Sequence, residues 1–196
     1  MIYCGTGCQV TTGDRYDVSG LVEAQFEPGS GGRVLRNRLG IRTRRKMDEV
    51  EAKALQKAVD ALVRKYDERH RFTAGDMRAM HKRWLGAVYD WAGEYRLVNI
   101  SKGGFPFAAA ALVPSLMTRF ERDVLARHTP CRSQSRQDVI RALAHVHVEL
   151  VLIHPFREGN GRIVRVLSKG RRWRRHCRGS TPACTAGSAF RRVRRI

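Results

Sequence analysis

The stretch His154-Pro155-Phe156-Arg157-Glu158-Gly159-Asn160-Gly161-Arg162 is the part of the chain around which the rest is organised. It follows an apolar run from Val139 to Ile153, which predicts a helix buried on most of its faces. Pro155 predicts the end of that helix, because the residue before a proline disfavours the α conformation. Residues Ile163 to Ser168 then predict the first turns of another helix.

The side chains of this stretch combine several chemical capacities. Backbone N–H groups of Gly159 to Gly161 can converge on an anion at a helix N-terminus, where the helix dipole adds positive potential. Arg162 supplies a planar cation suited to phosphate, and Glu158 offers a carboxylate oxygen of the kind that Mg²⁺ prefers. His154 has an unperturbed pKa suited to general-base catalysis near neutrality. The combination indicates transfer of a phosphoryl or nucleotidyl group.

The nine residues match the signature of the Fic family, His-Pro-Phe-x-Asp/Glu-Gly-Asn-Gly-Arg, at every defined position. The resemblance extends upstream to Trp91-Ala92-Gly93-Glu94-Tyr95-Arg96 and to Asn99-Ile100-Ser101-Lys102-Gly103-Gly104-Phe105, which is similar to the substrate flap of that family. A weaker likeness reaches Asn37 to Ile41. The resemblance therefore covers most of the chain, from near residue 15 to residue 168.

The resemblance implies a mainly α fold, a Fic-type helical bundle with a short β-hairpin flap beside the active-site loop. It implies a protein adenylyltransferase, which moves AMP from ATP onto a Ser, Thr or Tyr hydroxyl of a target protein. In that interpretation His154 is the catalytic base, and Glu158 holds Mg²⁺. The nucleotide-binding residues are Gly159, Asn160, Gly161 and Arg162, with the Asn160 side chain on the α-phosphate. The flap from Asn99 to Phe105 would dock the target.

Other functions remain open at this point. The same fold could transfer another phosphate-linked group, such as phosphocholine or UMP. Gly161 favours AMP, because relatives that transfer phosphate tend to carry Lys at that position. The chain could instead be an inactive remnant, or a basic module that binds nucleic acid through its tail, which we consider the less favoured class.

The charge of the chain is concentrated at its end. The net charge is +20, and from Gly159 onward there are twelve basic residues and no acidic residue. After Ser168 the apolar periodicity stops, and Arg, Gly, Ala, Ser and Thr dominate. Two interpretations compete, a disordered basic arm and out-of-frame translation of a GC-rich gene; the second is preferred. It would disrupt the helix after the motif and place activity in doubt.

The expected organisation is an N-terminal arm (1–44), a Fic domain (45–168) and the basic tail (169–196). The five cysteines are scattered and form no Cys-x-x-Cys pair, which predicts neither a zinc site nor a disulfide framework. No membrane span or leader pattern is expected. These features, with the resemblance, favour the cytoplasm of a bacterium.

Local patterns predict the other elements. Asp48 and Glu51 suggest a capping box that starts the first helix, and Thr73 with Asp76 suggests another. A third helix is expected from Val113 to Leu125, and Ser135 is expected to cap the helix that precedes the motif. Between Tyr95 and Phe107 the pattern predicts a short β-hairpin turning at Gly103-Gly104.

The resemblance also raises the question of control. Fic enzymes are commonly restrained by a Ser/Thr-x-x-x-Glu-Gly/Asn helix, whose glutamate pairs with the motif arginine. The nearest match here is Ser19 to Ala24, with Ala24 where Gly or Asn is expected. We therefore expect a separate antitoxin-like protein to supply that glutamate. The resemblance includes bacterial toxins that act on type II topoisomerases, which suggests that target class.

Overall fold

The structure is a computed structural model that describes residues 20–132 and 135–167. The predictions for the basic tail and for the first part of the N-terminal arm lie outside the described residues. The predicted domain boundaries stay predictions, although residues 20–43 pack on the helices and Val34 is fully buried in the core.

The described residues are mainly helical, with one two-stranded antiparallel sheet, which confirms the predicted fold class. The helices are α1 (Arg44–Lys65), α2 (Ala74–Leu85), α3 (Val113–Phe120), α4 (Ala126–His128), α5 (Arg136–Ile153) and α6 (Asn160–Leu167), and the strands are β1 (Ser101–Lys102) and β2 (Phe105–Pro106). A π-helical segment, Glu121–Leu125, joins α3 to α4, and short 3₁₀ turns span Val22–Ala24 and Ala110–Leu112.

The core lies where α5 and α6 meet α2 and α3. Helix α1 packs against α2, and α5 packs against α3 and α6. Leu85, Met117 and Leu150 are fully buried at this junction, as are Phe156 and Ile163 from the motif region. The loop between α5 and α6 is therefore anchored at its centre by Phe156.

The predicted start of the first helix is wrong. Helix α1 begins at Arg44, after Thr43 in an extended conformation. Asp48 lies in the second turn and pairs with Arg44, at 3.0 Å from its Nε atom, so it caps nothing. The helix therefore begins one turn before Asp48, and Met47 in this added turn is buried in the core. The carboxylate of Glu51 points into the protein, not back toward the helix start.

The predicted cap of α2 is confirmed. The Thr73 hydroxyl accepts a hydrogen bond from the Asp76 amide, and the Asp76 carboxylate accepts one from the Thr73 amide at 3.0 Å. The same carboxylate also accepts a bond from the Tyr66 hydroxyl and contacts the His70 ring. One side chain thus joins the end of α1 to the start of α2.

Helix α5 is less buried than its apolar sequence predicts. Val139, Val146 and Leu150 are buried on one face, but Ile140, Val148 and Leu152 remain exposed. Helices α3, α4 and α6 and the π-helical segment pack on α5, and Ile140, Val148 and Leu152 lie outside these contacts enough to remain exposed. None of the described helices is long and apolar enough to cross a membrane.

The Asp76 carboxylate gives a testable pH dependence. Burial alone would raise the pKa of Asp76, but the hydrogen bonds from His70, Thr73 and Tyr66 outweigh it, so its pKa lies below the usual range. A depressed pKa stabilises the fold above the unfolded value of about 3.9, and this stabilisation is lost as the pH falls through the lower folded value. Asp76→Ala should lower stability at pH 7 by about 0.5–2 kcal/mol, the range for a lost cap. Thermal unfolding between pH 7 and the acid range measures it.

The difference between Asp76→Ala and the unsubstituted chain should shrink as the pH falls below about 4. Asp60→Ala is the matched control, because that carboxylate is exposed on the surface of α1 and accepts a hydrogen bond from Gln56. Its effect should stay within about 0.5 kcal/mol. A stability difference for Asp76→Ala that does not change with pH would contradict this assignment.

Candidate active site

His154 lies at the C-terminal end of α5, where the helix stops before Pro155. Its backbone adopts the left-handed conformation, with φ 53° and ψ 60°, and its amide donates to the Leu150 carbonyl. The ring nitrogen Nδ1 is 3.0 Å from the Val151 carbonyl oxygen, which can only accept, so Nδ1 carries the proton. This contact leaves Nε2 with a lone pair. The His154 ring is thus held in the tautomer that a general base requires.

The environment of His154 also favours its neutral form. Burial lowers the pKa of this imidazole below its usual value, while the hydrogen bond to Val151 acts in the opposite direction. The nearby charges of Arg96 and Lys102 lower the pKa further. The ring stacks on Phe107, with centroids 3.7 Å apart, so it packs against the flap as well. A neutral imidazole near pH 7 can accept a proton without first losing one.

A buried arginine fixes this helix end. Arg96 is 1% exposed, and its guanidinium donates to the His154 and Val98 carbonyls at 2.7 Å each. It also donates to the carbonyl groups of Ala108 and Ile153. These acceptors lie on both sides of the flap and at the end of α5. Arg96 therefore ties the flap base to the residue that carries the candidate base.

The loop after Phe156 presents amide groups at the start of α6. The first amides of a helix lack intrahelical acceptors. The amides of Arg162 and Ile163 both donate to the Gly159 carbonyl. Within the described part of the chain, the amides of Asn160 and Gly161 donate to no protein acceptor. They are therefore available for an anion, in agreement with the pattern of the sequence.

Trp84 forms the floor under this loop. Gly159 has φ +85°, and a Cβ atom there would lie 2.5 Å from Cζ3 and 2.8 Å from Cη2 of the Trp84 ring. The Arg162 guanidinium lies over the same ring, 4.7 Å from a ring centroid. The indole N–H of Trp84 donates to the Glu51 carbonyl at 2.9 Å. Glycine is required at position 159, because both its conformation and its contact exclude a side chain.

Arg162 lies between two carboxylates. Its Nη1 atom is 2.6 Å from Oε2 of Glu51, and its Nη2 atom is 3.0 Å from Oε1 of Glu158. The Glu51 side chain is 3% exposed, whereas that of Glu158 is 34% exposed. The predicted cation is thus present beside the loop, and its terminal nitrogens already carry protein partners.

Glu158 is ionised and has one oxygen available. Burial would raise the pKa of Glu158, but the hydrogen bond from the Gly159 amide and the charge of Arg162 lower it below its usual value. The bonds from Gly159 and Arg162 both fall on Oε1. Within the described residues, Oε2 has no hydrogen-bond donor. The donor set fits Mg²⁺, which commonly binds one or two protein carboxylates together with substrate phosphates and water.

His81 supports the loop from below. Its Nδ1 atom accepts from the Gly93 amide at 2.8 Å, so the proton lies on Nε2, which donates to the Glu158 carbonyl at 3.0 Å. The ring stacks on Phe156 with centroids 4.1 Å apart. Burial lowers the pKa of His81 to about 4, which keeps the ring neutral. His81 therefore has a supporting role, since both of its nitrogens are engaged with the backbone.

The Asn160 side chain turns away from the anion position. Its Oδ1 atom accepts from the Phe156 amide at 2.8 Å, and its Nδ2 atom donates to the Phe156 carbonyl at 2.7 Å. The residue is 2% exposed. The expectation that this side chain contacts the α-phosphate is therefore corrected, because both of its polar atoms close the loop on itself. The backbone N–H of Asn160 has no acceptor among the described residues.

The flap is a hairpin shorter than predicted. Ser101 pairs with Pro106 and Lys102 with Phe105, around a turn in which Gly103 and Gly104 both have positive φ. Tyr95 and Leu97 lie outside the strands, because the Leu97 and Val98 amides bond to the Glu23 carboxylate and not to a partner strand. The Asn99 side chain accepts from the Ala110 amide, and Ile100 accepts from Phe107. Residues 101–106 are exposed beside His154.

Four supporting residues were not predicted to take part in the site: Glu51, His81, Trp84 and Arg96. Glu51 gave one usable signal, because it lies at helical spacing with Leu55, Ala58 and Leu62 on the apolar side of α1. A charge on such a stripe indicates a buried partner. The other three gave none, since their partners lie far along the chain. Among the described residues no cluster of three or more His, Cys, Asp or Glu could hold a metal by itself.

The contact between Gly159 and Trp84 predicts a difference between two glycines of one loop. Gly159→Ala should lower the thermal midpoint, because the left-handed conformation costs about 1–2 kcal/mol. Overpacking against the ring adds about 1–3 kcal/mol. Gly161→Ala is the control, since a Cβ there meets nothing within 4 Å and lies in α6. It should be neutral or stabilise by about 0.5–1 kcal/mol. Equal effects of both substitutions on nucleotide-free protein would refute the contact.

Comparison with known proteins agrees with this geometry. The family model described as Fic/DOC family matches residues 71–169. Protein adenylyltransferase VbhT of Bartonella schoenbuchensis is 31% identical over 144 residues, which cover 71% of this chain and 28% of that protein. The probable protein adenylyltransferase y4lH of Sinorhizobium fredii is 31% identical over 132 residues, which cover 67% of each protein.

A solved structure shares the fold. The N-terminal Fic domain of a VirB-translocated Bep effector protein from Bartonella quintana, crystallised with bound ADP, is 25% identical and superposes with a TM-score of 0.56. The match covers 66% of this chain and 68% of that one. The chain thus spans about two thirds of one relative and little more than a quarter of the other. With the motif, the fold and these matches in agreement, the chain belongs to the Fic/DOC family.

Proposed function

We propose that this chain is a protein adenylyltransferase, which transfers AMP from ATP to a hydroxyl side chain of a target protein. The observation that carries the proposal is the tautomer of His154, with Nδ1–H bonded to Val151 so that Nε2 keeps its lone pair, at the start of the same loop whose Asn160 and Gly161 amides have no protein acceptor among the described residues. The names of the relatives support it, as does the ADP bound in the Bartonella quintana domain. A base and an anion site in one loop match the needs of this transfer.

The first role of the chain is to hold the nucleotide. The amides of Asn160 and Gly161, at the start of α6, would bind phosphate oxygens with the help of the helix dipole. Nη2 of Arg162 would take a distal phosphate oxygen in place of Glu158. Glu158, through Oε2, would hold Mg²⁺, and when bound that ion would neutralise part of the phosphate charge. The hydrogen bond from the Gly159 amide keeps this carboxylate oriented and lowers its pKa.

The chemical step requires one proton transfer. His154 Nε2 would take the proton from the target hydroxyl as its oxygen attacks the α-phosphorus. A bond forms between that oxygen and phosphorus, the bond from the α-phosphorus to the bridging oxygen of the β-phosphate breaks, and pyrophosphate leaves. The Val151 carbonyl, which accepts from Nδ1–H, would stabilise the imidazolium that results. Positioning and charge stabilisation supply most of the rate in such transfers.

The flap would present the target. Its residues 101–106 are exposed, and Phe107 at its base stacks on His154, so a segment lying along the flap would come close to Nε2. Main-chain pairing along a strand edge gives affinity with little demand on sequence. The contact between Phe107 and His154 therefore supports the docking role proposed for Asn99 to Phe105. The choice of type II topoisomerases as targets, and a bacterial cytoplasmic location, belong to the same proposal and rest on the resemblance.

We also propose that restraint comes from a separate antitoxin-like protein. Glu23, in the segment most similar to the family's restraining helix, is 6% exposed and accepts hydrogen bonds from the Leu97 and Val98 amides. Arg157 bonds to its backbone carbonyl. Its carboxylate is therefore engaged at the flap base, so this segment does not supply a glutamate to Arg162.

The proposal predicts which part of ATP is transferred. Incubation with a bacterial lysate and ATP labelled at the α-phosphate should label protein, whereas ATP labelled at the γ-phosphate should not. His154→Ala should reduce the transfer by about 10²–10⁴-fold, as expected for loss of a general base. Nucleotide binding, measured by calorimetry, should remain. His147→Ala is the matched control, because that histidine is exposed on α5 and lies outside the site.

Two results would overturn the proposal. Transfer of the γ label would indicate a kinase-like reaction in place of AMP transfer. Unchanged transfer by His154→Ala would show that another group takes the proton.

A further inference from the structure

Glu51 is a buried carboxylate with three connections to the site. It lies in α1, more than one hundred residues before the motif, and its side chain is 3% exposed. Oε1 accepts from the Tyr89 hydroxyl at 2.7 Å, and Oε2 accepts from Nη1 of Arg162 at 2.6 Å. Its backbone carbonyl accepts from the indole N–H of Trp84. The carboxylate is thus fixed on one side by Tyr89 and presents its other oxygen to Arg162.

The two ends of the Arg162 guanidinium have unequal surroundings. Nη1 meets Glu51 in the interior, whereas Nη2 meets Glu158, which is 34% exposed and belongs to the loop. Breaking a buried ion pair leaves an uncompensated charge, while a solvent-exposed pair exchanges at small cost. The contact of Nη1 with Glu51 is therefore the stable one, and the contact of Nη2 with Glu158 is the one that a ligand can replace. The Trp84 ring lies against the face of the Arg162 guanidinium, so it limits movement of the guanidinium out of its plane.

We infer that Glu51 is a positioning residue, which holds Arg162 through Nη1 so that Nη2 is directed at the distal phosphates of ATP. This inference rests on the proposed function. Glu51 touches no substrate atom and acts through Arg162. When a phosphate oxygen replaces Glu158 at Nη2, the bond to Glu51 keeps the guanidinium plane in the same place. The arginine then binds with little loss of side-chain freedom, because that freedom is already restricted in the free protein.

The inference makes a prediction that a purely structural role does not. Glu51→Gln keeps the volume of the side chain but removes its charge. Binding of the ATP analogue AMPPNP with Mg²⁺ should weaken by about 10–100-fold, the range typical of partners that orient a ligating group. Binding of AMP, which lacks the distal phosphates, should change by less than about threefold. Calorimetry for AMPPNP and NMR titration for AMP measure the two affinities.

Two further variants separate positioning from packing. Tyr66→Phe is the matched control, because it removes a comparable tyrosine–carboxylate bond, to Asp76, outside the site; it should lower stability and leave AMPPNP affinity unchanged. In an Arg162→Gln background, Glu51→Gln should cause no additional loss of AMPPNP affinity, because residues that act through one contact are not additive. If Glu51→Gln does not fold, Glu51→Asp serves in its place, since it keeps the charge but shortens the reach to Arg162.

Three outcomes would overturn the inference. An equal loss of AMPPNP and AMP affinity would show general damage to the site. Unchanged AMPPNP affinity in a folded Glu51 variant, with normal binding by the unsubstituted chain, would refute the role of Glu51 and leave the proposed function intact. Failure of the unsubstituted chain to bind AMPPNP would remove the proposed function and this inference with it.

Discussion

The contact between the Gly159 backbone and the Trp84 ring is the constraint on which the site depends. It sets the left-handed turn at Gly159, and α6 begins at the next residue. At this helix start the backbone N–H groups of Asn160 and Gly161 have no acceptor among the described residues. The same ring supports Arg162. A single indole therefore contacts both the loop and the cation of the candidate anion site, and an arrangement fixed in advance would reduce the ordering cost of binding.

A second set of buried polar groups connects this loop to the flap. Arg96 binds carbonyl oxygens from the end of α5 and from both sides of the flap, and Glu23 binds the amides at the flap base. Buried polar groups require partners, and these partners are backbone atoms whose positions they fix. The candidate base and the surface that would present a target are thus held by one network. Their relative position depends little on the exposed tip of the hairpin.

The sequence predicted the features that depend on local pattern. The end of α5 before Pro155, the capping box at Thr73 and the hairpin turn were all predicted from neighbouring residues. The contributions of Glu51, His81 and Arg96 depend on partners 111, 77 and 58 residues away, which no local period reveals. The type of a residue also did not predict which way its side chain points. Asn160 was expected to face the phosphate, but its amide group closes the loop through Phe156.

If the proposed anion site is formed before the nucleotide binds, a crystal structure of the chain with AMPPNP and Mg²⁺ should show little change in the loop. Residues 156–162 should keep their backbone within about 1 Å, as in other preorganised sites. Gly159 should remain on Trp84, Arg162 should remain bonded to Glu51, and phosphate oxygens should lie within hydrogen-bond distance of the Asn160 and Gly161 backbone amides. A loop displaced from Trp84, or phosphates bound away from these amides, would show that the site is not formed in advance.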